Sequence, residues 1–342
     1  MATIFNSSKP DDVIVAAVER IDLTPAGEKI AYSSLGGGVS SDIWVVETDT
    51  TAFCVKRALS KLKTAADWFA PVERYKFEFA WMRTANAIVP GIAPKILAVD
   101  DEAMLFAMEY LQPTTHVLWK NALQRGDIDP QAAGECGTRL VAVHAGTAHN
   151  ASVAELFPDN DIFHAIRLEP YLEATASHHP DLHDQLFELS RHTAETKIAM
   201  IHGDVSPKNI LLGPNGPVFI DAECACIGDP AFDLAFCLNH FLLKCLWVPA
   251  KRNEFLACYD AMASAYLKGV DWEDARALEA RAARLLPGLF LARVDGKSPV
   301  EYINSDKDKE KVRRCARTLL LDPPTRLADV RTRWAQELRN ER

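Results

Sequence analysis

The sequence predicts an α+β fold with two lobes, a small antiparallel β-sheet in the first third and a mostly helical remainder. Strand-like runs joined by short turns dominate up to about residue 112, helical spacing dominates after it, and one short hairpin interrupts the helices. A chain of 342 residues suits two lobes better than one compact domain. The polar stretch at residues 112–115 is the predicted boundary between an N-terminal lobe, residues 1–112, and a C-terminal lobe, residues 113–342.

The first third begins with an amphipathic helix predicted over residues 9–21, which Ser8 can cap and whose first turn Asp11 favours. Three strand-like runs follow, "KIAYSSLG", "SDIWVVET" and "TAFCVKRA", and the segments "GGGVS" and "TDT" join them. Such runs with short turns predict an antiparallel sheet. A helix over residues 70–88 and two strands within residues 94–111 complete the lobe.

Helical spacing characterises the second lobe. It extends over residues 129–148, 169–194, 231–246, 250–268, 272–289 and 306–320. The exception is residues 210–221, which read as two short strands around the turn "GPNG". The most apolar run begins at Leu234 and contains Asn239, His240 and Lys244, so it predicts a buried helix and not a membrane span.

Composition limits the classes of partner. The formal net charge of −9 argues against a nucleic-acid partner, and the N-terminus has no signal-peptide pattern. The eight cysteines form no CxxC pair, which predicts reduced, buried thiols in a cytoplasmic protein. The sequence therefore indicates a globular protein with a small-molecule partner and no membrane partner, and leaves monomer and homodimer both open.

Three polar residues stand in the apolar passage "IHGDVSPKNILLGPNGPVFIDAE": Asp204, Asn209 and Asp221. Carboxylates in such a passage need a partner or a metal. Phosphoryl transfer needs a carboxylate that orients the attacking hydroxyl and hard oxygen ligands for Mg²⁺. His202 to Asn209 has the spacing of the kinase loop H-R-D-x-x-x-x-N, and Asp221 stands where the metal-binding Asp of D-F-G belongs.

Further pieces of an ATP site precede this passage in the expected order. The strand "FCVK" places Lys56 to reach phosphate, and Glu78 on the next helix is its predicted partner, with Glu73 as the alternative. Glycines in the first turn let backbone N–H groups approach phosphate, and "FAMEYL" runs into a polar hinge. Each piece alone also fits an ordinary loop or surface charge. The predicted nucleotide-binding residues are Gly36, Gly37, Gly38, Lys56, Glu78, Glu109 and Leu111.

The segments "HGDVSPKN", "FIDAE" and "GDPAFDLA" resemble the aminoglycoside phosphotransferase and choline kinase superfamily. The resemblance implies a two-lobed, protein-kinase-like fold with ATP in the cleft. It also implies that Asp204 is the catalytic base, that Asn209 and Asp221 bind Mg²⁺, and that Lys56 contacts the α- and β-phosphates. Gly203 replaces the Arg of H-R-D, and eleven residues separate Asp221 from Asp233. Both features favour a small-molecule acceptor over a protein substrate.

Within the superfamily, "KRALSKLKTAADWFAPVERYKFE" is similar to methylthioribose kinases. The D-x-E form at Asp221 and Glu223 also occurs there, so Glu223 is either a metal ligand or a side chain bonded to nearby backbone. Where those kinases carry paired arginines, this chain has Ala292 and Arg293. The expected activity is ATP-dependent phosphorylation of a hydroxyl on a sugar, amino sugar or amino alcohol. The alternatives are a methylthioribose-kinase-like sugar kinase and an inactive kinase-like binding protein.

Other polar residues are expected to be mainly structural. Asp233 should accept hydrogen bonds from the catalytic-loop backbone, and Asp229 should cap a helix rather than lie near the metals. His240 is expected to be a satisfied core histidine, although it could face the acceptor. A final polar cluster either binds the acceptor or ties down the last helices, and it consists of Arg293, Asp295 and Lys297.

Overall fold

The first lobe is built on a five-stranded antiparallel sheet of strand order β1-β2-β3-β5-β4. The structure, a computed structural model, describes residues 9–36, 41–59 and 71–340. The strands are β1 Ala31–Ser34, β2 Ser41–Glu47, β3 Ala52–Ala58, β4 Ile96–Asp100 and β5 Leu105–Glu109, and the helices are α1 Asp12–Ile21 and α2 Arg74–Ile88. The predicted sheet and its order of elements are confirmed.

Strand β3 lies at the centre of this sheet and carries Lys56. Lys56 pairs with Ile43 of β2 on one side and with Phe106 of β5 on the other. Because side chains alternate along a strand, Cys54 and Lys56 share a face, and both are buried. Hydrogen bonding to two neighbouring strands therefore fixes the backbone from which the Lys56 side chain extends.

The start of α1 differs from the prediction. The helix begins at Asp12, three residues after the predicted start, and its cap is Asp11. The Asp11 side chain accepts a hydrogen bond from the backbone N of Ile14 at 3.0 Å and also binds Arg57 of β3. Ser8, the predicted cap, lies outside the described residues. Asp11 is favoured as the cap because its carboxylate both caps the helix and binds Arg57 of the sheet.

Helices make up most of the second lobe. They are α3 Trp119–Arg125, α4 Pro130–Thr147, α5 Ala151–Ala154, α6 Asp161–Phe163, α7 Ala174–His178, α8 His183–Glu195, α9 Pro230–Trp247, α10 Arg252–Lys268, α11 Ala275–Asp295, α12 Asp306–Leu321 and α13 Leu327–Glu337. A π-helical segment, His164–Glu173, contains Pro170, and short 3₁₀ turns cover Pro180–Leu182, Pro207–Asn209 and Pro249–Lys251. The predicted helix over residues 169–194 is thus several pieces, because the chain leaves helical geometry at His179, the residue before Pro180.

Short strands frame the loop that carries the kinase-like motif. They are β6 Val117–Leu118, β7 Ala199–Ile201, β8 Ile210–Gly213, β9 Gly216–Phe219 and β10 Cys226–Gly228. β8 and β9 form the predicted hairpin, with β6 added at its edge, and β7 pairs with β10. The chain therefore leaves β7 just before His202, enters β8 just after Asn209, and leaves β9 just before Asp221.

Helix α9 forms the centre of the second lobe. Its residues from Pro230 to Leu246 are buried, and α10 and α11 pack against it. The eight cysteines are unpaired and buried, as the sequence predicted. Among the helices that the structure describes, none has the length and apolarity needed to cross a membrane.

Candidate active site

The loop between β7 and β8 holds Asp204 in a backbone shape that depends on Gly203. Gly203 has φ +76°, and a Cβ at this position would lie 2.8 Å from both Cβ and the carbonyl oxygen of Cys224. Asp233 of α9 accepts hydrogen bonds from the backbone N–H groups of His202, at 2.7 Å, and Gly203, at 2.9 Å. The predicted role of Asp233 as support for the catalytic loop is confirmed.

Asp204 is a buried carboxylate with one oxygen engaged and one free. Its Oδ2 lies 2.7 Å from Nη2 of Arg167, 3.0 Å from Nζ of Lys208 and 2.7 Å from Nδ2 of Asn209. Its Oδ1 has no hydrogen-bond partner within the described part of the chain. Burial opposes ionisation, but Arg167 and Lys208 outweigh it and hold the pKa of Asp204 below its ordinary value. The carboxylate is therefore charged at neutral pH, with Oδ1 available as a proton acceptor.

Arg167 was not among the residues predicted from sequence. It belongs to the π-helical segment, and besides its contact with Asp204 its Nε donates a hydrogen bond to the carbonyl oxygen of Gly203 at 2.9 Å. Burial disfavours its charge, yet Asp204 raises the pKa of Arg167 above its ordinary value. One feature of the sequence indicated such a residue. Because Gly replaces the Arg of H-R-D, the buried carboxylate of Asp204 needs a cation from another helix or strand.

Lys56 connects β3, α2 and the segment after β9. Its Nζ lies 2.7 Å from Oε1 of Glu78 and 2.5 Å from Oδ1 of Asp221. The alternative partner, Glu73, is exposed at the start of α2. Burial opposes the charge of Lys56, but Asp221 and Glu78 raise its pKa above the ordinary value. Burial raises the pKa of Glu78 to about 7 although Lys56 acts against this.

Asp221 has an unusual backbone and a partly accessible side chain. Its φ is +67°, in the left-handed region that non-glycine residues seldom occupy, and 30% of its side chain is exposed. Ile220 N donates to the Asn209 carbonyl oxygen at 2.9 Å, which ties Asp221 to the loop of Asn209. Burial acts to raise the pKa of Asp221, but Lys56 and Lys208 outweigh it and the pKa lies well below the ordinary value.

Glu223 has a partner that the sequence did not indicate. Its Oε2 accepts a hydrogen bond from Nε of Arg74, at 2.9 Å, and both side chains are buried. Arg74 also donates to the backbone carbonyl oxygens of Leu59 and Pro71. The contact joins the start of α2 to the segment after Asp221. Sequence reasoning had considered only a metal or nearby backbone as partners of Glu223.

Three of the remaining predicted nucleotide-binding residues are described by the structure, and they lie at or just beyond strand ends of the sheet. Glu109 ends β5 opposite Phe53, and its backbone N donates to the Lys95 carbonyl oxygen at 2.9 Å. Leu111 follows directly and is half-buried. Gly36 lies in the turn after β1. The other two glycines of that turn lie outside the described residues, and they are Gly37 and Gly38.

Asp229 serves as a helix cap. Its Oδ1 accepts a hydrogen bond from the backbone N of Ala231 at 3.0 Å, and both of its oxygens bind Arg281 of α11. Of the two alternatives for Asp229, helix capping is therefore confirmed, because both carboxylate oxygens are engaged at the start of α9.

The prediction that Arg293, Asp295 and Lys297 form one polar cluster near the end of α11 is wrong. Asp295 accepts two hydrogen bonds from Arg313 of α12, at 2.9 and 2.7 Å, and Lys297 pairs with Glu169. These two residues tie helices together, as one alternative held. Arg293 instead turns into the lobe interior and is buried. The three side chains separate because Arg293 lies on α11, whereas Lys297 lies in the segment after it.

The expectation for His240 is also wrong. The imidazole is buried as predicted, but its Nε2 has no hydrogen-bond partner in residues 9–36, 41–59 and 71–340. Burial lowers the pKa of His240 well below its ordinary value, and nearby cations led by Arg293 add to this. The ring is therefore neutral and has an unused polar atom, which a satisfied core histidine would not have.

The family of this chain follows from a match to most of its length. The phosphotransferase enzyme family, APH, matches residues 31–278. The chain belongs to this phosphotransferase family. The resemblance seen in the three C-terminal motifs is thereby confirmed, and the match also covers the sheet and Lys56.

The curated relatives that the chain matches are distant in sequence. A methylthioribose kinase of Escherichia coli O45:K1 is 25% identical over 245 residues, which are 63% of this chain and 58% of the relative. The chain thus matches somewhat more than half the length of that relative. A second methylthioribose kinase, from Oryza sativa subsp. japonica, is 22% identical over a similar span.

Solved structures share the fold. An amicoumacin kinase in complex with AMP-PNP and Ca²⁺ superposes with a TM-score of 0.58 at 13% identity, covering 94% of this chain and 97% of that one. An ethanolamine kinase of Plasmodium vivax gives 0.55 at 15% identity, covering 94% and 88%. At these identities the likeness shows the fold, and it confirms the predicted two-lobed, kinase-like architecture.

Proposed function

We propose that this phosphotransferase moves the γ-phosphate of ATP to a hydroxyl group of a small molecule, with Asp204 as the base. The observation that carries the proposal is the asymmetry of the Asp204 carboxylate. Oδ2 is held by a guanidinium, an ammonium and an amide, whereas Oδ1 is buried without a partner. A charged, oriented carboxylate with one free oxygen suits the removal of a proton from an attacking hydroxyl.

The residues around Asp221 fit Mg²⁺·ATP. Mg²⁺ prefers carboxylate and carbonyl oxygens and keeps water or phosphate among its ligands. Asp221 is charged and partly accessible, and Asn209 is joined to it through the backbone. No group of three or more His, Cys, Asp or Glu side chains in the described chain is arranged to hold a metal by itself. Two protein ligands completed by phosphate oxygens match this arrangement, and bound Mg²⁺ would neutralise phosphate charge.

The roles of the chain's own residues follow from their contacts. Lys56, held by Glu78, would bind the α- and β-phosphates, and Asn209 and Asp221 would hold the metal. Glu223 positions Arg74 and the start of α2, and its second oxygen remains the proposed additional metal contact. Glu109, at the end of β5, and Leu111, just after it, would contribute to nucleotide binding at the hinge.

Two other activities fit less well. An inactive binding protein is disfavoured because Lys56, Asp204, Asn209 and Asp221 are all present. A sugar kinase acting on methylthioribose is supported by relatives of that name. Against it stands the single arginine, Arg293, where the motif comparison calls for a pair.

The proposal is tested by nucleotide binding and turnover in the full chain. Calorimetry should show that Mg²⁺ strengthens ATP binding and that EDTA or Asp221→Ala weakens it strongly. Asp204→Asn should keep ATP affinity but lower kcat toward an acceptor by about 10²- to 10⁴-fold, because the amide cannot take the proton. Equal ATP affinity with and without Mg²⁺, or full turnover in Asp204→Asn, would count against the assignment.

A further inference from the structure

Lys244 of α9 is a buried cation without an anionic partner at ion-pair distance. Its Nζ contacts the rings of Trp247 and Tyr302, 4.4 and 4.5 Å from their centroids. In the described part of the chain, no carboxylate or hydrogen-bond acceptor contacts this Nζ. A buried ammonium group without an anion is costly. The surroundings of Lys244 are therefore incomplete as a purely structural arrangement.

Arg293 of α11 is a second such cation. Its Nη1 donates hydrogen bonds to the hydroxyl oxygens of Tyr171, at 3.0 Å, and Ser298, at 3.2 Å, and also to the Ser298 carbonyl oxygen. Its Nε is buried without a partner, and no carboxylate of the residues described lies at ion-pair distance. An arginine held by neutral groups keeps its charge and its donors for another ligand.

Aromatic packing and shared electrostatics join the two cations. His240, one helical turn before Lys244, packs edge-on against Phe236, which contacts the ring of Tyr171 beneath Arg293. Arg293 and Lys244 both act against protonation of His240. We name this group the Lys244–Arg293 cluster, and its members are His240, Lys244, Arg293 and Tyr302.

The cluster lies close to the proposed catalytic base. Tyr171, which receives the Arg293 hydrogen bond, and Arg167, which contacts Asp204, lie four residues apart in the π-helical segment. Lys208 forms an ion pair with Asp204, and its charge also contributes to the lowered pKa of His240. A small molecule with its hydroxyl at Asp204 therefore extends naturally toward the cluster.

An accessible edge borders the cluster. The side chain of Lys208 is 49% exposed, and that of Lys120, which pairs with Glu301, is 30% exposed. The charge of Lys120 lowers the pKa of Lys244, and the charge of Glu301 raises it. Their opposite charges largely cancel, so the excess positive charge of the region comes mainly from Arg293, and Lys244 adds to it when it is protonated.

We propose that the Lys244–Arg293 cluster binds a carboxylate group of the acceptor, so that the small-molecule substrate is a hydroxy acid or a hydroxylated amino acid. The inference rests on the proposed kinase function and names its substrate class. Arg293 offers a fork of donors that matches a planar carboxylate, and Lys244, His240 and Tyr302 offer further donors to its remaining lone pairs. A quaternary ammonium group is disfavoured, because the rings of Trp247 and Tyr302 stack on each other at 4.7 Å and Lys244 Nζ already lies beside both.

The charge state of Lys244 gives the cluster a measurable signature. Burial lowers the pKa of Lys244 to about 7, and Lys120 and Arg293 act in the same direction. A carboxylate beside Nζ raises this pKa, so binding near pH 7.5 should take up a proton. The other titratable or charged groups facing Lys244 are Lys120, Cys237, His240, Arg293, Glu301 and Tyr302.

The experiment compares acids with their amides. The full chain with Mg²⁺ and AMP-PNP is titrated calorimetrically with glycerate, gluconate, serine and homoserine, and with the primary amide of each. We expect at least one acid to bind at least about tenfold more tightly than its amide, with proton uptake shown by different buffers. Methylthioribose, choline, kanamycin and glycerol phosphate serve as comparators of other charge.

Variants assign the effect to the cluster. Arg293→Gln and Lys244→Met should each raise the Kd of the preferred acid by about 10- to 100-fold and change the Kd of its amide and of AMP-PNP by less than about threefold. Lys244→Met should also abolish proton uptake. Arg293→Lys should retain part of the preference for the acid over its amide. Such partial retention would show that the loss in Arg293→Gln does not come from a folding defect. Arg284→Gln, an exposed charge on the same helix, is the matched control.

The inference is overturned if no acid of the panel binds more tightly than its amide. It is equally overturned if a neutral, cationic or phosphorylated alcohol binds best, or if the two cluster variants leave the acid preference intact. In those cases Mg²⁺-dependent nucleotide binding and turnover of another alcohol would leave the kinase proposal standing. Loss of Mg²⁺-dependent nucleotide binding in the unaltered chain would instead contradict the kinase function itself.

Discussion

Replacing Gly203 by alanine should damage both the stability and the activity of this protein. The left-handed backbone at φ +76° costs a side-chain-bearing residue about 1–2 kcal/mol. The added Cβ would also stand 2.8 Å from Cys224 Cβ and from the Cys224 carbonyl oxygen, and overpacking of this kind costs about 1–3 kcal/mol. We therefore expect Gly203→Ala to lower the free energy of unfolding by about 2–5 kcal/mol, measured by urea denaturation.

The loss of activity should exceed what partial unfolding explains. Relief of the contact moves the loop away from Asp233 and Arg167, which hold the N–H and the carbonyl oxygen of Gly203 at 2.9 Å each. A displacement of about 1 Å at the base can cost about 10²-fold in rate. Gly91→Ala is the control, because Gly91 has the same φ and no atom within 4 Å of an added Cβ. If the two substitutions cost the same stability, the contact with Cys224 is not what demands glycine.

Two further substitutions test the rest of the site. Lys56→Met should lower kcat/KM for ATP by about 10²-fold with thermal unfolding little changed, and Lys76→Met on the exposed face of α2 should leave it unaltered. Unchanged kinetics in Lys56→Met would remove this residue from the nucleotide site. Arg167→Gln should lower kcat by about 10- to 10³-fold with the Kd for ATP within about threefold, and Arg167→Lys should restore part of it. An Arg167→Gln variant that loses ATP binding and keeps kcat would show that Arg167 serves the nucleotide and not Asp204.

The fold was largely predictable because its elements follow local rules. Strand β3 was predicted from alternating residues between two turns, and its pairing with β2 is confirmed. Its pairing with β5 on the other side was not predicted. The π-helical segment was not predicted, since helical periodicity does not distinguish hydrogen-bond patterns and Pro170 disrupts them locally. Helix α13 was also missed, and it is anchored by Trp334, whose Nε1 donates a hydrogen bond to the Leu242 carbonyl oxygen.

The site was predictable where known motifs name both partners, as they do for Lys56 with Glu78 and for Asp233 with the loop before Asp204. Asp204 and Asn209 are five residues apart, and their contact follows from that spacing. Arg167 and Arg74 lie on helices far from the motif along the chain. Sequence separation alone does not indicate that they contact it. His240 and Lys244 were visible as polar residues in an apolar helix, but only packing shows that they lack partners. Sequence therefore identifies residues that share a motif, and structure identifies the residues that complete their charge.

The replacement of a loop arginine by Arg167 affects how the loop that carries Asp204 is held. In the H-R-D pattern, the arginine stands beside the base and can bind a phosphorylated activation segment. Here Gly203 brings the loop against Cys224, and the cation beside Asp204 comes from a buried helix. The short segment before Asp233 is held by β10, paired with β7. Because buried contacts hold Asp204, the proposed base would be oriented without a separate switching step. Such preorganisation is consistent with the proposed transfer to a small-molecule hydroxyl.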